Sequence, residues 1–202
     1  MTIVIGLTGG IASGKSVVSQ MLAERGALII DADKVGHEAY RRGNGCYEAV
    51  VEAFGTGVVG ADGEIDRKAL GGKVFGDPAQ RERLEGIVWP WMRETMDKRL
   101  AQIRAEGTPV VVLEAAVLIE AGWIPITDQV WVVTVAPAIA RQRVIERNGL
   151  TAEQADARIN AQLANEERAK YAQVIIDNSG TLDELKRRVT GAWEKLTAAT
   201  AH

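Results

Sequence analysis

Gly9-Gly10-Ile11-Ala12-Ser13-Gly14-Lys15-Ser16 constrains this chain more than any other stretch. It fits G-x-x-x-x-G-K-[ST] and lies between an apolar run, Ile3 to Thr8, and a helical pattern, Ser16 to Arg25. That strand–loop–helix context is what makes the motif meaningful. Glycines let the backbone curl until its N–H groups converge on phosphate oxygens. The helix that follows points its positive end at the same place. The loop residues Gly10, Ile11, Ala12, Ser13, Gly14, Lys15, Ser16 and Val17 are therefore expected to bind ATP phosphates, with Lys15 reaching the β- and γ-phosphates and the Ser16 hydroxyl on Mg²⁺. The motif signals a nucleoside triphosphate, not a kinase as such, since switch GTPases and motor ATPases share it.

Gly26 stops the first helical run, and Ala27 to Ile30 is a second apolar strand. A strand–helix–strand opening implies a parallel sheet. Val110 to Leu113, Val130 to Val135 and Val174 to Ile176 read as three more strands covered on both faces. The expected architecture is α/β, a P-loop NTPase three-layer α/β/α fold with a five-stranded parallel sheet. About 80 residues separate the second and third strands, far more than a crossover helix requires. The single domain 1–202 thus divides into a core (1–34, 109–136, 171–202), a mainly helical insertion (35–108), which would be acceptor-binding in a kinase, and a lid (137–170). Asp77-Pro78 and Pro137 mark helix starts, and Thr151…Gln154 and Thr181…Glu184 have capping-box spacing. Pro90 is expected to kink or break its helix, and Phe54 to Gly60, Asp62-Gly63 and Gly71-Gly72 to form turns.

Asp31 and Asp33 follow the second strand. Two residues apart on an extended chain, they point to the same side, beyond the strand ends where open parallel sheets bind ligands. Asp33 is the candidate base for an attacking hydroxyl, with Mg²⁺ through water a further role. Helix capping is the competing role, above all for Asp31. Glu114 closes the third strand, where an acidic group carrying Mg²⁺ or its waters belongs. Arg141, Arg143 and Arg147 share one short helical stretch, followed by Arg158, Arg168 and Lys170. A guanidinium suits the spread charge of a transferring phosphoryl group, and Arg143 is the candidate for that role. A solvated charged face is the alternative. Arg67 with Lys68, and Trp89, Trp91 and Trp123, offer charge and apolar surface for a bulky anionic acceptor, although core packing is the commoner use of Trp.

Composition narrows the partners. Among 202 residues, 47% are hydrophobic and 25% charged, a globular balance. The net charge of −3 supplies no global field toward nucleic acid or membrane. No stretch approaches the roughly 20 apolar residues of a membrane span. One cysteine and two histidines argue against an internal disulfide and a zinc site. A cytoplasmic protein, a monomer or small homo-oligomer, is expected.

Leu7-Thr8-Gly9-Gly10-Ile11, Ser13-Gly14-Lys15-Ser16 and Ile30-Asp31-Ala32-Asp33 resemble the opening of dephospho-CoA kinases. The resemblance continues through Asp62-Gly63-Glu64-Ile65-Asp66-Arg67, Val74-Phe75, Arg143…Arg147, Arg158-Ile159…Gln162 and Ile176-Asp177-Asn178. It implies transfer of the ATP γ-phosphate to the ribose 3′-hydroxyl of dephospho-CoA, with Asp33 as base, Arg147 and Asn178 on ATP, and Asp31, Arg67, Trp89, Glu114 and Leu118 toward the acceptor. Trp89-Pro90 stands where many bacterial members have His-Pro, and Ala116-Val117-Leu118 where many have a Pro-Leu-Leu run. These two features, with Glu120-Ala121-Gly122-Trp123, are similar to the kinase domain of animal bifunctional coenzyme A synthase. Ala12 and Val17 replace the usual Gly and Thr of the loop. Other small-molecule kinases and regulatory NTPases remain alternatives, although no Asn-Lys-x-Asp guanine signature occurs.

Overall fold

The computed structural model describes residues 2–200. The chain runs β1 (Ile3–Gly9), α1 (Lys15–Ala23), β2 (Leu28–Asp31), α2 (Ala32–Ala39), α3 (Gly45–Phe54), α4 (Arg67–Val74), α5 (Pro78–Ala105), β3 (Val110–Glu114), β4 (Gln129–Thr134), α6 (Pro137–Asn148), α7 (Ala152–Asn160), α8 (Asn165–Ala169), β5 (Val174–Asp177) and α9 (Leu182–Thr200). Short 3₁₀ turns lie at Thr56–Val58 and Ile124–Ile126. Residues up to Ile30 and from Arg104 onward form one compact unit, and Asp31–Ile103 form another.

The first unit holds a five-stranded sheet in the order β2-β3-β1-β4-β5. β1 is paired in parallel with both β3 and β4, Leu7 facing Glu114 on one side and Trp131 on the other. β4 pairs in parallel with β5. Both faces of the central strands are buried, which is why they read as continuous apolar runs rather than alternating ones. Ile5, Leu7, Val110, Val112, Trp131 and Val133 pack with Val18, Met21 and Leu22 of α1 and with Leu185, Val189 and Leu196 of α9. Each such side chain, fully buried, contributes about 1.5–3 kcal/mol. On β1, Gly6 takes the close approach: a Cβ there would lie 2.7 Å from Leu118 Cδ2 and 2.9 Å from Thr127 Cγ2.

The helix signals hold. Pro137 opens α6. Thr151 and Gln154 form a reciprocal capping box on α7. Asp77 Oδ1 accepts from the N–H groups of Ala79 and Gln80 at the start of α5. The expected lid, 137–170, consists of α6, α7 and α8, and the Arg141–Asp156 ion pair at 2.9 Å ties α6 to α7.

The second unit is helical. Val88, Met92, Met96, Leu100 and Ile103 form the buried stripe of α5 at three- and four-residue spacing. α2 packs against it, since a Cβ on Gly36 would touch Met92 Cε at 3.4 Å, and Glu38 pairs with Arg99. Cys46, Val50 and Phe54 are the buried face of α3.

Two local expectations are corrected here. Pro90 does not break α5, which runs on through it. Pro90 and Gly86, whose carbonyl loses its partner, are both on the exposed side, where water serves that carbonyl. Gly71-Gly72 is not a turn but part of α4, which Asp66 starts by accepting from the N–H groups of Lys68 and Ala69.

Candidate active site

The phosphate loop leaves the central strand β1 and enters α1. Its glycines are required by contact. A Cβ on Gly9 would fall 2.5 Å from the Val133 carbonyl oxygen, and one on Gly14 (φ +88°) 2.1 Å from Asn178 Nδ2. Ala12 takes φ +58°, the one left-handed non-glycine among the described residues. An L-side chain in that conformation costs roughly 1–2 kcal/mol, so the replacement of the usual glycine leaves strain in the loop.

At the inner end of the loop, Lys15 Nζ donates to Glu114 Oε1 at 3.0 Å and Ser16 Oγ donates to the same oxygen at 2.8 Å. Burial alone would raise the Glu114 carboxyl. The hydrogen bond and charge of Lys15, with hydroxyl donors from Ser16 and Ser19, hold it below the ordinary carboxylate value instead. Glu114 thus stays ionised and keeps the ammonium and hydroxyl oriented. Its proximity to Ser16 gathers two oxygen donors at one point. A hard cation that shares phosphate oxygens needs only one or two protein carboxylates, so the donor set fits Mg²⁺ carried with a triphosphate. The Ser13 hydroxyl is buried beside this loop without a partner, a further polar group suited to a ligand.

The carbonyls of the loop are held from outside. Arg143 donates through Nη1 to the Ala12 carbonyl at 3.3 Å and through Nη2 to the Asn178 carbonyl at 3.1 Å. Asn178 Nδ2 donates to the Ser13 carbonyl at 2.8 Å. Arg143 and Asn178 both brace the loop backbone, a contact with its carbonyls that the sequence did not indicate. Arg147 is exposed, with its Nε on Asn148 Oδ1 at 3.4 Å. Val17 is exposed at the start of α1.

The acceptor candidates do not share one environment. Leu118 has no exposed surface and packs against Gly6, so its expected contact with an acceptor gives way to a core role. Trp123 is likewise core. Asp31 accepts through Oδ1 from the N–H groups of Asp33 and Lys34 and is the N-cap of α2. The two aspartates are consequently not residues i and i+2 of an extended strand. Helix begins at Ala32, which turns Asp33 into the first turn of α2, where it is exposed. In the second unit Arg67 is exposed at the start of α4, and Trp89 is half-buried on α5.

One residue not assigned a role from sequence bonds to the loop, and one of the arginine segment is buried beside it. Gln162 Oε1 accepts from the Ile11 N–H at 2.7 Å. Arg168, 1% exposed, donates through Nη2 to Glu120 Oε1 at 3.1 Å and through Nη1 to the Leu163 carbonyl. Burial lowers the pKa of its guanidinium, and Glu120 opposes that shift. No local pattern pairs positions 151 or 48 residues apart. Ser19 was findable, because it lies one helical turn beyond Ser16.

A central parallel strand feeding a glycine-bound phosphate loop, with a Lys–Ser–carboxylate cluster at its helix end, defines a P-loop nucleotide-binding protein. Residues 3–184 match the family model described as dephospho-CoA kinase. Among curated relatives, the dephospho-CoA kinase of Geobacter sulfurreducens is 48% identical, covering 95% of this chain and 98% of that protein. The dephospho-CoA kinase of Symbiobacterium thermophilum is 48% identical over 94% of this chain and 80% of its own length. Among solved structures, TT1252 from Thermus thermophilus superposes with a TM-score of 0.80 at 33% identity, covering 96% of this chain and 98% of that one. The chain belongs to the dephospho-CoA kinase family.

Proposed function

We propose that this protein transfers the γ-phosphate of ATP to the ribose 3′-hydroxyl of dephospho-CoA, the last step of coenzyme A synthesis. The observation that carries the reading is the Lys15–Glu114–Ser16 cluster at the helix end of the phosphate loop, in a chain that matches dephospho-CoA kinases over nearly its full length. Loop N–H groups and Lys15 hold the phosphates. Ser16 and Glu114 would hold Mg²⁺, which would neutralise charge on the phosphates. Asp33 receives the proton of the attacking hydroxyl. Its support is an exposed carboxylate in the first turn after β2, with no hydrogen bond to its side chain among the described residues. Arg143 steadies the loop backbone and, through it, the transferring group. Arg67 and Trp89 supply charge and apolar surface for the acceptor. Phosphoryl transfer has a loose transition state, so positioning and charge neutralisation account for most of the acceleration.

Among the described residues no helix is long and apolar enough to cross a membrane. The proposed setting is the cytoplasm, as a monomer or small homo-oligomer. The deciding experiment is a coupled ADP assay with dephospho-CoA, adenosine and uridine compared side by side. Turnover with dephospho-CoA alone is expected; turnover confined to adenosine or uridine would replace this reading by that of a nucleoside kinase.

A further inference from the structure

Glu114 receives three donors from one side of α1. Lys15 Nζ and Ser16 Oγ both reach its Oε1, at 3.0 and 2.8 Å. The Ser19 hydroxyl is the third hydrogen-bond donor to this carboxylate. Helix geometry explains the grouping. Residues three and four apart are neighbours on a helix surface, and Ser19 stands three beyond Ser16 and four beyond Lys15. Sheet register supplies the acceptor, because Glu114 ends β3 beside Leu7 of β1, the strand that runs into the loop.

The three donors differ in access. Ser16 is exposed and the Lys15 side chain is 14% exposed, so both are open to a ligand entering the loop. Ser19 is 3% exposed and lies with Val18, Met21 and Leu22 on the buried side of α1, the polar member of that set. A hydroxyl is tolerated among apolar neighbours when it has a partner, and Glu114 is that partner.

Nucleotide binding makes unequal claims on these donors. Lys15 turns to the β- and γ-oxygens of a triphosphate, and Ser16 to the Mg²⁺ it carries. The Ser19 hydroxyl is sealed from both ligands, so its bond to Glu114 persists in the loaded site. Glu114 is itself 9% exposed, and a poorly solvated carboxylate stripped of its donors is costly. A serine oxygen is placed by one torsion with three staggered wells, so Ser19 holds the carboxylate from a fixed point on the helix.

We propose that Ser19 is a positioning residue for the metal–nucleotide site, its hydroxyl keeping Glu114 in place while Lys15 and Ser16 turn to the triphosphate and its Mg²⁺. This rests on the nucleotide half of the proposed function and not on the identity of the acceptor.

Titration calorimetry of the whole protein with ATP, in EDTA and at increasing Mg²⁺ with no acceptor present, tests it. Ser19→Ala removes the hydroxyl with little change in volume. The Mg²⁺ concentration that gives half of the tightening of ATP binding should rise about 3- to 10-fold, the range of one net hydrogen bond. ATP affinity in EDTA should change less than about twofold on the same scale. The Tm of the nucleotide-free variant should stay within about 3 °C of wild type, since Glu114 keeps Lys15 and Ser16 there and alanine is the better helix former. Ser19→Cys, close to serine in size but a weak donor, should fall between serine and alanine in its Mg²⁺ response. An unchanged Mg²⁺ response in Ser19→Ala would overturn the proposal. Equal losses of ATP affinity with and without Mg²⁺ would overturn it too, reducing Ser19 to a packing residue of α1. The two readings fail separately: wild-type turnover of dephospho-CoA decides the acceptor, and the Mg²⁺ response of Ser19→Ala decides Ser19.

Discussion

The phosphate loop and the helical unit of residues 31–103 solve opposite problems. In the loop nearly every polar group is already engaged. Lys15 and Ser16 are on Glu114, the Ala12 and Ser13 carbonyls are on Arg143 and Asn178, and the Ile11 N–H is on Gln162. Gly9 and Gly14 cannot carry a side chain without collision. The second unit presents its charges to water. Asp33, Arg67 and Lys68 are exposed on the first turns of α2 and α4, and the aspartates around them act as caps. A nucleotide meets a preorganised site, where dipoles cost no reorganisation on binding. On the proposed function, an acceptor would meet exposed side chains on capped helix starts.

Breaking that contrast at its strongest point gives the largest effect. Lys15→Ala should cut kcat/KM on the order of 10³-fold or more, as expected for a lost charge on a transferring phosphoryl group, and should weaken ATP in the same titration. Retained turnover would remove Lys15 from the mechanism. Asp33→Asn probes the exposed side. Loss of about 10²–10⁴ in kcat is expected for a missing base, with ATP affinity unchanged. Should KM for ATP rise instead, Asp33 belongs to the nucleotide site.

Glu114→Gln tests whether the inner end of the loop is held by charge. The folded carboxyl lies below its ordinary value of 4.5. The unfolded chain therefore takes up the proton first as pH falls, and stability rises with pH across the interval between the two values. That contribution is complete above the ordinary value and gone below the folded one. The variant should lose about 1–3 kcal/mol at neutral pH by leaving the Lys15 ammonium unpaired. It should also show a shallower loss of stability on acidification below about pH 5. Urea denaturation at pH 7 and pH 4 measures both, and an unchanged acid limb would show that other carboxylates set it.

Cys46 sits on the quiet side of the comparison. Burial pushes its thiol up to about 11 from an ordinary 9, so the folded protein should resist a thiol reagent at pH 8 and react once unfolded. Equal labelling rates in both states would contradict its burial. The smallest effect belongs to Ala12→Gly. Release of left-handed strain, about 1–2 kcal/mol, is offset by the extra chain entropy of glycine, about 0.4–1 kcal/mol. The net gain should lie between zero and about 1.5 kcal/mol, seen as a small rise in Tm.

What could be read without coordinates rests on neighbours along the chain. The loop motif, the five strands, the N-caps at Asp77 and Thr151 and the Pro137 start are set by residues within one or two turns of each other, where backbone sterics and local hydrogen bonds decide. Even there, local rules misjudged Pro90, Gly71-Gly72 and the geometry after Asp31, because helix continuity depends on which face meets water and where the next N-cap falls. Glu114 was legible as a strand-end acid, but its grip on Lys15 was not. That grip needs β3 beside β1, as do the contacts from β4 and β5 that bring Asn178 to the loop. The contacts of Gln162, Arg168 and Leu118 came only from folding. Their partners lie far away in sequence, and strand order rather than spacing determines which distant side chains a loop will meet.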